Sequence, residues 1–370
     1  MLLVVSWLGT ACGGATEQAP AREPTLPFRT NQPFFTALPT GYRLETVLDG
    51  LRFPSSLAAT PDGRLLITEQ TTGRIRVVRD DQLLDEPWFE LPVYFPEREF
   101  LQELGLVGIA VDPLFEQNGF VYIYYTERDA TGARRTVFAR VREVNGRGAD
   151  LTKLLTIDLA PEKLHIGGGI AFDGTEAILL GVGDHEQAGL APRLDSLAGK
   201  VLRIDREGNA LPDNPFAGRQ DADPRIYAYG LRNPFGLAVD QESGRKFIAD
   251  NRDVAGDAVY ELEAGADYGW PTHRVVLREP LVLYQEAVGM AGMTVYTGTA
   301  LPAFTGDLFF CTHHAGGALH WSEPEEVEGF DLAMRDRLIA PACSSGVKES
   351  ADGFLYFLSY TVGMLLRISR

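Results

Sequence analysis

The chain has 370 residues, of which 45% are hydrophobic and 23% are charged, so it can bury a substantial apolar core. Its formal net charge of -17 at pH 7 disfavours binding to nucleic-acid phosphates and to anionic membrane surfaces. The 39 glycines and 22 prolines are typical of an all-β protein that is rich in turns.

The first residues have the features of an export signal. Residues 1–12 form a short apolar segment that ends in Leu-Gly-Thr-Ala-Cys, which resembles a bacterial lipoprotein signal with Cys12 as the lipidated residue. This segment is too short to span a bilayer as a helix. Residues 13–39 are predicted to form a flexible, proline-containing linker. We therefore expect an exported protein that is lipid-anchored to the bacterial cell envelope, with secretion through a simple signal peptide as the alternative.

From residue 40 onwards, a turn glycine is followed six times by a short run of β-forming residues. Each glycine follows Asp, Asn, Ser or Thr, and such pairs supply the positive-φ turn that reverses a chain. One four-stranded sheet cannot bury both of its faces, so sheets of this kind stack around a channel. The sequence predicts an all-β fold, a six-bladed β-propeller over residues 40–370, with a sandwich of ordinary hairpins as the alternative. The glycines are Gly63, Gly119, Gly174, Gly244, Gly306 and Gly353.

The residues best suited to acid–base chemistry lie in the middle of the chain. His165 begins the segment His-Ile-Gly-Gly-Gly, and Asp184 follows the strand that comes after the next turn. We expect both residues at the same rim of one hairpin, where a carboxylate can hold the imidazole in one tautomer and raise its basicity. Such a pair is suited to general-base catalysis, and it can also have a purely structural role.

Two cysteines remain if Cys12 carries a lipid. Cys311 and Cys343 fall in the last two predicted blades. In the oxidising compartment that an export signal implies, an even pair predicts a disulfide, here near the closure of the ring. Two buried free thiols are the alternative.

Several segments resemble the soluble quinoprotein glucose/sorbosone dehydrogenases and occur in the order found in that family. The resemblance extends over residues 40–370. It implies a six-bladed propeller that holds pyrroloquinoline quinone (PQQ) at its central channel. The matching segments include Glu103-Leu-Gly-Leu-Val-Gly-Ile-Ala-Val-Asp-Pro, His165-Ile-Gly-Gly with Gly-Val-Gly-Asp184, Ile226-Tyr-Ala-Tyr-Gly-Leu-Arg-Asn-Pro-Phe and Ala266-Asp-Tyr-Gly-Trp-Pro.

The resemblance also implies roles for individual residues. His165 falls on the general base, which removes a proton from the anomeric hydroxyl of a sugar, and Asp184 falls on the carboxylate that orients it. Arg232 and Asn233 fall on cofactor contacts, and Glu103 occupies an acidic or amide position near substrate and cofactor. A guanidinium at such a position makes physical sense, because its planar fork pairs with carboxylates.

The sequence departs from the family at positions that hold the cofactor or a calcium ion. His314 replaces a cofactor-binding Lys, and the segment from Cys343 to Ser345 lacks two arginines that bind cofactor carboxylates. Arg252 and Asp253 replace a Gly-Pro pair whose main-chain carbonyls bind Ca²⁺. Losing several cations weakens the binding of a multiply charged ligand unless other groups compensate. The candidates for compensation are Arg252, Lys348, His313 and His314.

Two functional classes follow from these observations. The first is an exported PQQ-dependent dehydrogenase that oxidises a sugar or polyol hydroxyl by hydride transfer to the quinone, with calcium polarising the quinone and an unidentified electron acceptor. The intact set of His165, Asp184 and Arg232 favours this class. The second is a non-catalytic propeller that binds a carbohydrate or a protein, and the missing cations favour it. A nucleic-acid partner is not expected, and membrane contact is expected only through the lipid.

Overall fold

The chain folds as an all-β propeller, as the sequence predicts. The predicted signal segment 1–12, with Cys12, lies outside the described residues, as does the linker up to residue 37. Within the described part of the chain, no helix is long and apolar enough to cross a membrane. This computed structural model describes residues 38–96, 103–160, 163–253, 256–272, 278–284, 286–314, 317–322 and 336–370.

The strands of the described residues are arranged in six antiparallel sheets. The first strand, β1 (Arg43–Leu48), belongs to sheet 6. Sheet 1 consists of β2 (Pro54–Ala59), β3 (Leu65–Glu69), β4 (Arg74–Arg79), β5 (Gln82–Leu83) and β6 (Phe89–Glu90). Sheet 2 consists of β7 (Leu106–Val111), β8 (Phe120–Arg128), β9 (Arg134–Val144) and β10 (Arg147–Leu159). Sheet 3 consists of β11 (Gly167–Asp173), β12 (Ala177–Val182), β13 (Lys200–Ile204) and β14 (Ile226–Tyr229).

The remaining sheets follow the same plan. Sheet 4 consists of β15 (Pro234–Val239), β16 (Lys246–Asp250), β17 (Ala258–Glu261) and β18 (Val282–Leu283). Sheet 5 consists of β19 (Met290–Val295), β20 (Leu308–Thr312), β21 (Ala318–Ser322) and β22 (Asp336–Pro341). Sheet 6 consists of β23 (Val347–Glu349), β24 (Leu355–Ser359), β25 (Met364–Ser369) and β1. The short helix α1 (Phe115–Asn118) and two 3₁₀ turns, Ala188–Leu190 and Pro302–Phe304, complete the described elements.

The first strands of the six sheets form a closed ring around a central channel. Each of these strands contacts the first strand of the next sheet, and β23 contacts β2. The ring is also closed at its outer side, because β1 pairs with β25 in sheet 6. Each of the six turn glycines named above joins the first and second strands of one sheet, with a φ between 68° and 91°. The arrangement excludes a sandwich of hairpins.

Each sheet is covered on both faces by its neighbours. The buried apolar side chains form six clusters, and each cluster lies between two adjacent sheets. Between sheets 2 and 3, for example, the ring of Tyr122 lies 5.6 Å from Phe138 and 5.6 Å from Phe172, measured between centroids. The second face of each sheet can be covered only by the next sheet. The closed ring therefore removes both faces of every sheet from water.

A disulfide joins Cys311 and Cys343, as predicted. Cys311 lies on β20, and Cys343 lies in the segment that leads from β22 in sheet 5 to β23 in sheet 6, with 5.2 Å between the two Cα atoms. The bond therefore fixes the connection between sheets 5 and 6 at the channel side.

Five of the six first strands have an irregular register near their beginning. A β-bulge breaks the regular alternation and re-aims the side chains beside it. These irregularities lie at one end of the ring, the end at which the residues described next converge. They lie between Pro54 and Ser56, Leu106 and Gly108, Gly167 and Ile170, Pro234 and Gly236, and Met290 and Met293.

Candidate functional site

His165 and Asp184 lie at the same end of the hairpin formed by β11 and β12, as predicted. Gly167 and Val182 face each other in this hairpin, and the two residues stand just beyond them. Nδ1 of His165 is 2.9 Å from Oδ1 of Asp184. Because a carboxylate accepts hydrogen bonds, the Nδ1–H group of the imidazole donates, and Nε2 remains as an acceptor. This is the tautomer that a general base or a hydroxyl-binding imidazole requires.

The carboxylate of Asp184 is buried and held by further donors. Its side chain is 1% exposed, and Oδ2 accepts a hydrogen bond of 2.8 Å from Nε1 of Trp270. Oδ1 also accepts a bond of 2.8 Å from the backbone N–H of Glu186. Trp270 lies within one of the segments that resemble the family, but no role for its side chain was predicted from the sequence. Its signal is chemical, since an indole carries one N–H that needs an acceptor when the ring is buried.

Asn233 connects three neighbouring sheets at the mouth of the channel. It is fully buried, and its Nδ2 donates to Oε1 of Glu103 over 2.8 Å. Its Oδ1 accepts a bond of 3.0 Å from the backbone N–H of Gly167 in β11. Its own backbone N–H donates over 2.8 Å to Oδ1 of Asp250, the last residue of β16. Asn233 therefore holds Glu103 in place beside the hairpin that carries the His–Asp pair.

Glu103 presents an unused acceptor. Its Oε2 atom is buried and has no hydrogen-bond partner among the described residues. Burial raises the pKa of Glu103, whereas His165 when protonated, the charge of Arg232, the hydrogen bond from Asn233 and the backbone N–H of His165 act in the opposite direction. An unpaired carboxylate oxygen at this depth costs free energy unless a donor from a ligand or water reaches it.

The two arginines near the site have different surroundings. Arg232 donates from Nη1 to the backbone carbonyl of Asn251 over 2.9 Å, and its guanidinium lies 5.7 Å from the ring centroid of Trp270. Arg252 donates from Nη1 to the hydroxyl of Tyr260 over 2.9 Å, and its Nε is 3.7 Å from Asp250. Arg252 is therefore engaged within sheet 4.

The predicted calcium site at Arg252 and Asp253 stays a prediction. No group of three or more His, Cys, Asp or Glu side chains in the described part of the chain is arranged to hold a metal ion. The predicted calcium ligands are main-chain carbonyl oxygens and so are not among these side chains. The guanidinium of Arg252 adds a fixed positive charge to the same segment, which opposes the approach of a second cation.

A cavity of about 140 Å³ lies beside Glu103 at this end of the channel. His314 belongs to its lining, as predicted, whereas His165, Asp184 and Arg232 do not. Lys348, a candidate for compensation, lines a different cavity. The polar residues that line this cavity include Glu103, Asn251, His313, His314, Ser344 and Ser345.

The chemistry of this lining does not fit a quinone with several carboxylates. None of the described residues that line the cavity is Lys or Arg. Burial lowers the pKa of His313, although its Nδ1 is 2.9 Å from the carbonyl oxygen of Ser344. Ser345 uses its hydroxyl to donate to the carbonyl of Pro54 over 2.6 Å. The described lining therefore offers no Lys or Arg side chain to an anion, and Glu103 adds an acidic group.

The comparisons with known proteins agree on one family. The family model described as Glucose / Sorbosone dehydrogenase matches residues 51–367. The aldose sugar dehydrogenase YliI of Escherichia coli is 25% identical, over 90% of this chain and 94% of that protein. A solved glucose dehydrogenase structure is 28% identical, with a TM-score of 0.77, over 89% of this chain and 99% of that chain. The hedgehog-interacting protein of Mus musculus is 29% identical over 54% of this chain and 32% of its own length.

Proposed function

The chain belongs to the glucose/sorbosone dehydrogenase family, and on that basis we propose that it recognises a neutral sugar or polyol at the cavity beside Glu103. The observation that carries this proposal is the buried, unpartnered Oε2 atom of Glu103 in a cavity whose described lining holds no Lys or Arg. Because this oxygen has almost no exposed surface, a ligand hydroxyl donates to it after the Glu103 side chain turns it towards the cavity.

The other polar groups at this end of the channel suit hydroxyls as well. Nε2 of His165 is an acceptor in the tautomer that Asp184 imposes. The hydroxyl of Ser344 accepts a hydrogen bond of 2.8 Å from the backbone N–H of Tyr360, so its own proton is available to an incoming oxygen. Sugar hydroxyls both donate and accept, so one ligand can satisfy acceptor and donor groups together.

The cavity should discriminate between a neutral ligand and the family's cofactor by their charge. A ligand carboxylate placed beside Ser344, Ser345 and His313 would lose its water without gaining a cation. A charged group that is buried without a partner loses at least about 1–3 kcal/mol, and several such groups would add to this cost. A sugar carries no net charge and avoids this loss.

PQQ-dependent oxidation of a sugar is the second candidate function. The 2.9 Å contact of His165 with Asp184, together with Arg232 and Asn233, is the observation that favours it. The names of the sugar dehydrogenases among the relatives favour it too. Export, with lipidation at Cys12, is compatible with both candidates and is part of the proposal.

Calorimetric titration of the full chain distinguishes the two candidates. We expect binding of one or more aldoses, ketoses or polyols in the absence of PQQ, and we expect Glu103→Ala to weaken that binding at least tenfold. Glu116→Ala, in the short helix α1 beyond the opposite end of β7 from Glu103, is the matched control. Absence of binding across the sugar and polyol panel would overturn the proposal. Tight PQQ binding in Ca²⁺ with dye reduction that is lost in His165→Ala would establish the second candidate.

A further inference from the structure

The central channel contains a second and larger cavity, of about 500 Å³. It is lined by the first strands of all six sheets. It shares Ser55, Val107 and Phe235 with the cavity beside Glu103, so the two cavities follow each other along the channel. Its volume lies within the range of about 300–1,000 Å³ that is typical of small-molecule sites. We call it the channel cavity.

Lys348 brings a positive charge into the channel cavity. It is the only Lys or Arg among the described residues that line this cavity. No ion pair or side-chain hydrogen bond joins its ammonium group to any other described residue, and the carboxylate that acts on it electrostatically belongs to Glu349, which lines the same cavity. That carboxylate already accepts hydrogen bonds of 2.8 and 3.2 Å from the backbone N–H and the hydroxyl of Thr297.

Lys348 differs from the arginines that are held in ion pairs. Arg64 pairs with Glu143 over 2.7 Å, and Arg206 pairs with Asp112 over 2.8 Å. Lys348 is exposed to the solvent of the channel, and the surrounding protein lowers the pKa of its ammonium, with Glu349 acting in the opposite direction. An accessible ammonium without an ion pair binds an anion that enters beside it through charge-assisted hydrogen bonds.

The walls of the channel cavity indicate what else the anion should carry. Each first strand is the end strand of its sheet, so one of its edges has no strand to pair with. Consecutive residues of these strands line the cavity, for example 55–59 of sheet 1 and 235–239 of sheet 4. An unpaired strand edge presents backbone N–H and C=O groups. Such walls suit a ligand with several hydroxyls better than an acyl chain.

We propose that the channel cavity binds a small hydroxylated carboxylate of the sugar-acid class, with the carboxylate paired to the ammonium of Lys348 and the hydroxyls bonded to the strand edges. This site is separate from the cavity beside Glu103, because Lys348 does not belong to the lining of that cavity. It does not depend on which of the two candidate functions is right.

Titration of the full chain with sodium gluconate at low ionic strength tests this proposal. We expect binding that becomes at least tenfold weaker in Lys348→Met and in Lys348→Gln. The matched control is Lys153→Met, at a lysine that pairs with Glu127 over 2.5 Å, and we expect its affinity for gluconate to be unchanged. Acetate, which has the carboxylate but no hydroxyls, should bind more weakly than gluconate.

Two further measurements separate the channel site from the site beside Glu103. Gluconate binding should persist in Glu103→Ala, whereas sorbitol, which lacks a carboxylate, should bind the wild type and Lys348→Met equally. Thermal unfolding should show that Lys348→Met is about as stable as the wild type, because Lys348 is exposed in the channel and has no ion pair with a described residue to lose. Failure of gluconate to bind, or equal affinity in the wild type and both Lys348 variants, would overturn the proposal.

Discussion

Replacement of Asp250 by Asn should change the pH dependence of stability. Asp250 is fully buried at the end of β16, and its carboxylate accepts hydrogen bonds from the backbone N–H groups of Arg232 and Asn233. Burial raises the pKa of Asp250 from 3.8 to about 6, while Arg252 and these two N–H groups act in the opposite direction. The residue therefore combines a positioning role at the site with a titration that can be measured.

The sign of the effect follows from proton linkage. Between pH 3.8 and about 6 the folded state holds the proton on Asp250 more tightly than the unfolded state does. Unfolding releases that proton, so the contribution of Asp250 to stability falls as the pH rises through this range. At about 1.36 kcal/mol for each pH unit, the loss amounts to about 3 kcal/mol. Below pH 3.8 the contribution is fully present.

Asp250→Asn keeps an acceptor for both backbone N–H groups and removes the titration. Between pH 4 and pH 7, we expect the free energy of unfolding of Asp250→Asn to rise by about 3 kcal/mol relative to that of the wild type. Urea unfolding of both proteins at four pH values in this range measures the difference, and other titrating groups cancel in the comparison. A difference that stays constant with pH would refute the reasoning.

Three other predictions concern the site and the ring. Trp270→Phe removes the indole donor to Asp184 and should lower the free energy of unfolding by about 1–3 kcal/mol, with weaker sugar binding; urea unfolding and calorimetry measure both effects. Reduction of the disulfide, which closes a loop with a sequence separation of 32, should lower the free energy of unfolding by about 3–4 kcal/mol, and an unchanged unfolding curve would contradict this. Gly183→Ala should weaken sugar binding strongly, because a Cβ there would overlap the carbonyl oxygen of His165, whereas Gly189→Ala, with open space around it, should bind like the wild type.

The features that were predicted from the sequence depend on short separations along the chain. The pairing of His165 with Asp184 spans 19 residues within one hairpin, so the turn and the strand lengths determine it. The turn glycines are equally local. By contrast, the hydrogen bond from Trp270 to Asp184 spans 86 residues, and the bond from Asn233 to Glu103 spans 130. Such contacts depend on how the sheets meet around the channel, and no pattern within one segment encodes that arrangement.

The position of Lys348 also could not be predicted from its own segment of the sequence. In the sequence, Lys348 is one of four candidates to compensate for the lost cations. β23 runs along the channel, and Lys348 lines the channel cavity, whereas Ser344 and Ser345 line the cavity beside Glu103. The compensating role of Lys348 stays a prediction.

The residues that agree with the family and those that depart from it come from different parts of the ring. Glu103, His165 and Asp184 belong to the connections of sheets 2 and 3, and Arg232 with Asn233 leads into sheet 4. The departures at cofactor cations and at the calcium position lie after β16, after β20 and before β23, in sheets 4 to 6, and one more, Leu164 in place of an acidic residue, precedes His165. Each sheet of a propeller contributes its own connections to the channel mouth, so one side of the site can change while the other keeps its geometry. The His165–Asp184 pair lies on the side of sheets 2 and 3, whereas the described cavity lining on the side of sheets 4 to 6 holds serines and histidines and no Lys or Arg. This division favours an uncharged ligand, as a sugar is.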